Sequence, residues 1–128
     1  MKNGRIAIPS IGKGGLDGHR SEHFGHCETF TLVDVENGKI SKVTTVSNQE
    51  HQEGGCMVPV NTLSNLKVNA LIVCGIGLRP LTGFNEAGID VYHDAICPEI
   101  KPVVENLIAD NLQLLSIDQT CNGGGCNQ

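Results

Sequence analysis

The sequence predicts an α/β fold in which a mixed sheet of about five strands is flanked by helices. Three observations predict it. Two strand-like segments are joined by Asn37-Gly38, a strong signal for the turn of an antiparallel hairpin. Further along lies a continuous apolar run, typical of a strand buried on both faces. Near the end of the chain, apolar residues follow the period of a helix that packs one face against a sheet.

The first half of the chain predicts three strands and two polar loops. Gly4–Ser10 is the first strand, and Thr29–Glu36 and Ile40–Asn48 are the strands of the hairpin. Long polar loops occupy Ile11–Cys27 and Gln49–Cys56. A loop as long as the first is usually functional in a small domain.

The second half predicts alternating helices and strands, with prolines in the first helical turns and a glycine stop. In order, the segments are a helix over Met57–Lys67, a strand over Val68–Gly77, a helix over Arg79–Gly88, a strand over Ile89–His93 and a helix over Cys97–Asn111. The next residues, 112–116, either extend the last helix or lie along the core.

The length of 128 residues predicts a single domain. We assign residues 1–116 to this domain and residues 117–128 to a flexible tail rich in cysteine and glycine. No large apolar stripe is left over for a surface, which favours a monomer or a weak homodimer.

The composition argues against several classes of function. The net charge is −5, no Lys/Arg cluster occurs and aromatic residues make up 3%, so nucleic-acid binding is not expected. No apolar run is long enough for a membrane span, and the start lacks the pattern of a signal peptide. We therefore expect a cytoplasmic protein, in which six cysteines are metal ligands, redox thiols or buried small side chains.

The first polar loop concentrates metal-binding side chains. His19, His23, His26 and Cys27 fall within nine residues, although the chain has only five histidines. Imidazole nitrogen and thiolate sulfur are ligands for borderline and soft metals and for iron–sulfur clusters. The alternative is that these histidines hydrogen-bond their own backbone. The spacing matches no zinc finger and does not name the metal.

The second polar loop adds His51 and Cys56. A hairpin runs out and back, so the residue entering its first strand and the residue leaving its second lie at the same end. The two polar loops are therefore expected to lie side by side, with Cys27 near His51. The alternative is a polar linker with an incidental cysteine.

A glycine turn follows the buried strand. Gly75 and Gly77 lead into a helix start, where backbone N–H groups and the helix dipole favour an anion. The third glycine of a dinucleotide fingerprint is absent, and Pro80 occupies its place. Cys74, at the end of the apolar run, is interpreted as a buried structural cysteine.

The tail places Cys121 and Cys126 on either side of three glycines. They could hold a metal or a cluster edge, form a reversible disulfide, or belong to an unstructured terminus. A Cys–His pair could act as nucleophile and base, but no oxyanion hole or orienting residue is evident. The residues themselves therefore give only weak support for catalysis.

Two stretches together resemble the dinitrogenase iron–molybdenum cofactor biosynthesis family, which includes NifX, NafY and the C-terminal part of NifB. The first is RIAIPS…GLDGHRSEHFGHCETFTLVDVENGKI, with its HFG element followed by Phe30. The second is ALIVCGIGLRPLTGFNEAGIDVY, a strand, a G-x-G turn, a short helix and a GI-x-V element. The likeness covers roughly residues 4–110.

The resemblance implies a ribonuclease H-like fold and the non-catalytic binding, carriage or insertion of an iron–sulfur or molybdenum-containing cluster. It carries over His23 and Gly25 from the HFG element, and it implies cluster donor and acceptor proteins as partners. Cys27, His51 and Cys56 are added by ligand chemistry alone. The cysteine tail departs from a strict NifX role, and the client need not be nitrogenase.

Together these observations predict a cluster held at one end of the sheet, between the two polar loops. The first candidates as ligands are His23, His26, Cys27 and Cys56, with His19 and His51 in reserve. Gly25, Gly75 and Gly77 would face the cluster, and Cys121 and Cys126 would form a lid or a second ligand pair. Two alternatives stay open: a redox-responsive thiol interaction module and a simple zinc-binding protein.

Overall fold

A mixed sheet organises the part of the chain that the computed structural model describes, residues 3–21, 27–47, 62–74, 76–94 and 98–115. Its strands are β1 (Gly4–Ser10), β2 (Thr29–Glu36), β3 (Lys39–Ser47), β4 (Ala70–Val73), β5 (Asp90–His93) and β6 (Gln113–Leu114). They lie in the order β3-β2-β1-β4-β5-β6. The described helices are α1 (Leu78–Glu86) and α2 (Ile100–Ile108), and residues 62–65 are also helical.

The hairpin between β2 and β3 forms at the predicted turn. Asn37 and Gly38 have φ angles of 53° and 76°. Positive φ at both central residues is what the twist-matched two-residue hairpin turn requires, and asparagine followed by glycine tolerates it best. The turn therefore fixes the register of the hairpin, which pairs Thr29 with Ser47 at the far end of the strands.

The strand directions bring several chain segments to one edge of the sheet. β1, β4 and β5 are parallel, whereas β2 is antiparallel to both β1 and β3. The last residues of β1, β3, β4 and β5 and the first residue of β2 therefore lie at one edge, which we call the carboxyl edge. The prediction that the chain enters β2 and leaves β3 at the same end is confirmed.

The two faces of the sheet carry separate apolar clusters. Side chains of a strand alternate between faces, so Ala7 joins one cluster while Ile6 and Ile8 join the other. On the first face the sheet packs against α1 and its Phe84. On the second face it packs against α2, whose four buried side chains are Ile100, Val103, Val104 and Leu107. The predicted arrangement of a mixed sheet with helices on both sides is confirmed.

The described sheet has six strands rather than the predicted five, because β6 adds a strand on the outer side of β5. After α2, Asp110 has a φ of 62°, and the chain turns back along β5. Tyr92 pairs with Leu114, and the N–H of Leu115 donates to the carbonyl of Val91 at 2.8 Å. β6 has only two residues, both exposed, so it has no apolar alternation that could have predicted it.

Some predicted elements are longer than the elements in the structure, for local reasons. The strand expected over residues 68–77 is limited to β4, because Val68 and Ile76 are buried beside α1 rather than paired in the sheet. The predicted glycine stop is confirmed: Gly88 has a φ of 81° and its N–H donates to the carbonyl of Asn85. Of the helix predicted over residues 57–67, the described part shows helix at 62–65.

Among the described helices, none has both the length and the apolar character needed to cross a bilayer.

Candidate functional site

The carboxyl edge contains the point at which the chain connections diverge. β1 connects to β2 on one side, whereas its other neighbour, β4, leads through α1 to β5. In open α/β sheets such a divergence leaves a crevice beyond the carboxyl ends of the strands, and ligands bind there. Topology alone therefore points to the space beyond Ser10 and Val73.

Within the first polar loop (residues 11–27), which we call the His-rich loop, residues 18–21 form an extended segment at this edge. Residues 18–21 lie between the end of β1 and residues 98–100, with hydrogen bonds to both. The N–H groups of Ile11 and Ser21 donate to the carbonyls of His19 and Pro9, and those of Arg20 and Ile100 donate to the carbonyls of Pro98 and Gly18, at 2.6–3.2 Å. Isolated antiparallel bridges pair Ser10 with Arg20 and His19 with Glu99.

A buried ion pair closes the same region. Nη2 of Arg20 lies 3.3 Å from Oδ2 of Asp94, and the two residues are 4% and 7% exposed. Asp94 directly follows β5, and its N–H donates to the carbonyl of Val73 at the end of β4. The sequence reasoning missed this pair, because the two residues are 74 positions apart and neither stands in a recognisable motif.

A chain of buried hydrogen bonds holds the beginning of the loop on the sheet. The N–H of Gly15 donates to Oγ1 of Thr31 at 2.9 Å, and Oγ of Ser10 donates to the carbonyl of Ile8 at 2.8 Å. The two hydroxyl oxygens are 2.7 Å apart. Because the Ser10 proton is used toward Ile8, the Thr31 hydroxyl donates to Ser10. Ser10 and Thr31 are fully buried, so each of these groups depends on the others for its partner.

The structure places three of the predicted site residues at this edge. His19 is exposed on the anchored segment, and Gly77 is the buried residue at which α1 begins. Cys27 precedes β2 but is only 3% exposed, packed in the core cluster that contains Phe30. The remaining predicted site residues lie outside the described part of the chain: Gly25, Gly75, His23, His26, His51, Cys56, Cys121 and Cys126.

Cys74 differs from its interpretation as a buried structural cysteine. It is partly exposed at the end of β4, in the crevice, next to the strand end to which Asp94 is bonded. Within the described ranges, no group of three or more His, Cys, Asp or Glu side chains is arranged to hold a metal ion. A complete ligand set at this edge would therefore need donors from the polar segments outside those ranges.

The different burial of the two thiols gives a testable expectation. We expect Cys74 in the native protein to react with iodoacetamide at least about tenfold faster than Cys27, because alkylation requires an accessible thiol. Cleavage after lysine and glutamate isolates Cys74 in residues 68–86 and Cys27 in residues 23–28, so mass spectrometry can follow each separately. In denatured protein the two rates should converge. Equal rates in the native protein would contradict the burial described for Cys27.

The largest groove that we describe lies away from this site. It has a volume of about 530 Å³ at the opposite edge of the sheet, and Arg5, Asp34, Lys42 and Lys67 are among its lining residues. Nε of Arg5 lies 2.7 Å from Oδ1 of Asp34, in a partly exposed ion pair. Of the predicted ligand residues that the structure describes, His19 and Cys27, neither lines this groove, so its size alone does not make it the candidate site.

The fold defines a class: small α/β domains in which a mixed sheet carries helices on both faces and the chain connections diverge at the carboxyl edge. The sequence matches the dinitrogenase iron-molybdenum cofactor family over residues 4–110. The chain belongs to this family, as the resemblance of its two stretches predicts.

The chain is also similar to individual proteins and solved structures. The chain is 36% identical to the uncharacterized protein MJ0580 of Methanocaldococcus jannaschii over 91 residues, which are 69% of this chain and 72% of that protein. The NMR structure of a Thermotoga protein provisionally named NifB is 25% identical, with a TM-score of 0.71 over 95% of this chain and 99% of that one. The apo form of the orange protein from Desulfovibrio gigas is 22% identical, with a TM-score of 0.76 over 88% and 92%, and shows the shared fold alone.

Proposed function

We propose that this protein binds an iron–sulfur or molybdenum-containing cluster as cargo and carries it between a donor protein and an acceptor protein during cofactor biosynthesis. The observation that carries the proposal is the anchored start of the His-rich loop in the switch-point crevice. Residues 18–21 are hydrogen-bonded on both sides there, so the next residues of the chain, which include His23 and His26, start from a fixed point beside the strand ends.

The donor chemistry of this edge suits such a cargo. Imidazole and thiolate groups bind iron, molybdenum–sulfur and copper centres better than oxygen ligands do. We propose His23 and His26 as the first ligands, with Cys56, His51 and His19 as further donors. The N-terminal end of α1 at Gly77 would face an anionic cargo with backbone N–H groups. A ligand role for Cys27 would require its thiol to turn out of the core.

Several finer features belong to the same proposal. The mixed sheet with helices on both faces supports a ribonuclease H-like fold, as the resemblance implies. The protein acts without catalysis, in the cytoplasm, as a monomer or weak homodimer, with residues 117–128 as a tail appended to the domain. Cys121 and Cys126 would close over the cargo or act as a second ligand pair.

Anaerobic reconstitution tests the proposal. The purified protein is incubated with iron and sulfide, or with a thiomolybdate, and then desalted. We expect a visible chromophore that stays with the protein, stoichiometric metal and sulfide, and loss of most of that absorbance in a His23→Ala/His26→Ala variant. A colourless protein with neither metal nor sulfide after both treatments would overturn the proposal.

The same samples separate the two alternatives. Stoichiometric zinc that survives washing with a chelator, with no sulfide and no colour, would favour a zinc-binding protein. A reversible disulfide between Cys121 and Cys126 under mild oxidation, without metal uptake, would favour a redox-responsive interaction module. Each outcome is read by metal analysis and by the mass of the tail peptide.

A further inference from the structure

We propose that Arg20 is a positioning residue, whose ion pair with Asp94 fixes the register of residues 18–21 and thereby the point from which the His-rich loop leaves the sheet. The pair itself is a property of the described fold. Its effect on cargo rests on the proposed function. The effect on the register and the effect on cargo can be tested separately.

Arg20 connects three parts of the carboxyl edge. Its side chain reaches Asp94 at the end of β5, and its N–H donates to the carbonyl of Pro98, just before α2, at 2.6 Å. Its backbone also bridges Ser10 at the end of β1. Arg20 therefore connects the His-rich loop to the ends of β1 and β5 and to the residues just before α2.

The burial of the pair makes it a strong constraint. Both charges are almost removed from solvent, and separating them would leave a buried carboxylate without the guanidinium that faces it. The partly exposed pair of Arg5 and Asp34 at the opposite edge has closer atoms, but water can reach both partners there. The two pairs thus contrast the same chemistry in two environments.

The register that Arg20 sets decides which side chain faces outward. Side chains of an extended segment alternate, and here His19 is exposed while Arg20 is buried. A slip of one residue would turn Arg20 outward and His19 inward, and would shift the start of the following residues by about 3.3 Å along the edge. An ion pair that only one register can form excludes this slip.

Hydrogen exchange on the protein without cargo tests the register directly. In Arg20→Met we expect the amides of Ile11, Arg20, Ser21 and Ile100 to exchange at least about tenfold faster, because their hydrogen bonds open together. The amide of Asp90, bonded to the carbonyl of Asn69 at the opposite edge, should change much less. A purely structural loss of stability would instead accelerate all of these amides together. Arg20→Lys, which keeps the charge, should restore most of the protection.

Arg5→Met is the matched control. It also breaks an arginine–aspartate pair, at the other end of β1, and should leave the exchange of residues 11–21 as in the wild type. If Arg20→Met does not fold, Asp94→Asn is used in its place in each comparison. This substitution keeps the shape of the aspartate side chain and removes its charge. The proposal would be overturned if the amides of residues 20 and 21 exchanged at the wild-type rate in a folded Arg20→Met or Asp94→Asn variant.

Cluster binding by the same variants provides a second test. If the wild type forms a chromophore, Arg20→Met should bind several-fold less cluster at a given metal concentration and shift its absorption band, whereas Arg5→Met should match the wild type. Altered exchange together with unaltered cargo binding would overturn the link between Arg20 and the site. If the wild type itself forms no chromophore, the proposed function fails, while the exchange comparison still decides the role of Arg20 in the register.

Discussion

Replacing Gly14 with alanine is expected to lower the free energy of unfolding by about 2–4 kcal/mol. Gly14 has a φ of 69°, and a Cβ atom on it would lie 2.5 Å from Oγ1 of Thr31 and 3.2 Å from Cβ of Ser10. Those atoms cannot give way easily, since both side chains are fully buried and Oγ1 of Thr31 also accepts the Gly15 N–H. Urea unfolding followed by circular dichroism measures the loss.

Gly12 provides the matched control for the strain of a left-handed backbone. Its φ is 62°, but no atom lies within 4 Å of its Cβ position. Gly12→Ala should therefore cost only the conformational penalty, about 1–2 kcal/mol. Equal losses for Gly12→Ala and Gly14→Ala would show that the close contact beneath Gly14 does not exist. A larger loss for Gly14→Ala would confirm that the loop is seated on the hydroxyl groups of the sheet.

Replacing Phe30 with alanine is expected to lower the free energy of unfolding by about 3–5 kcal/mol, because it leaves a cavity where a large ring is removed from a packed core. Phe30 is 1% exposed at the start of β2, opposite Pro9 and Val46, in the same cluster as Cys27. In a domain of this size the melting temperature should fall by roughly 10–20 °C. The Cys27 thiol should also alkylate faster, since the core around it opens.

Phe30→Leu separates loss of volume from loss of the aromatic ring. A leucine keeps most of the apolar volume and should cost less than about 1.5 kcal/mol. If Phe30→Leu were as damaging as Phe30→Ala, the ring would have a role that packing alone does not explain. If Phe30→Ala were almost neutral, the described burial of Phe30 would be wrong.

The parts of the fold that the sequence predicts well are those with local signals. Asparagine followed by glycine at residues 37 and 38 specifies the hairpin turn, and the turn then specifies the register that brings Thr29 and Ser47 together. Gly88 marks the end of α1 for an equally local reason, a left-handed backbone that glycine tolerates. That the chain enters β2 and leaves β3 at one end could be inferred because a hairpin has only one open end.

The parts that sequence reasoning missed depend on contacts between distant residues. No local pattern indicates that Arg20 is buried, and β2, β3, β4, α1 and β5 all lie between it and its partner Asp94 in chain order. Local sequence patterns predict Cys27 as a metal ligand and Cys74 as a buried structural cysteine. In the structure Cys27 is buried in the core and Cys74, which directly follows β4, is partly exposed. The burial of each thiol depends on how distant segments pack around it, which its neighbours in sequence do not show.

Amide NMR spectra of the protein before and after anaerobic reconstitution show whether the proposed cargo binds at the carboxyl edge. We expect shifted or broadened signals for residues 11–21, Cys74, Gly77 and Asp94, with unchanged signals for Asn37, Gly38 and Lys67 at the opposite edge. Changes confined to the opposite edge, or bound metal that leaves the carboxyl-edge signals as they were, would contradict this expectation.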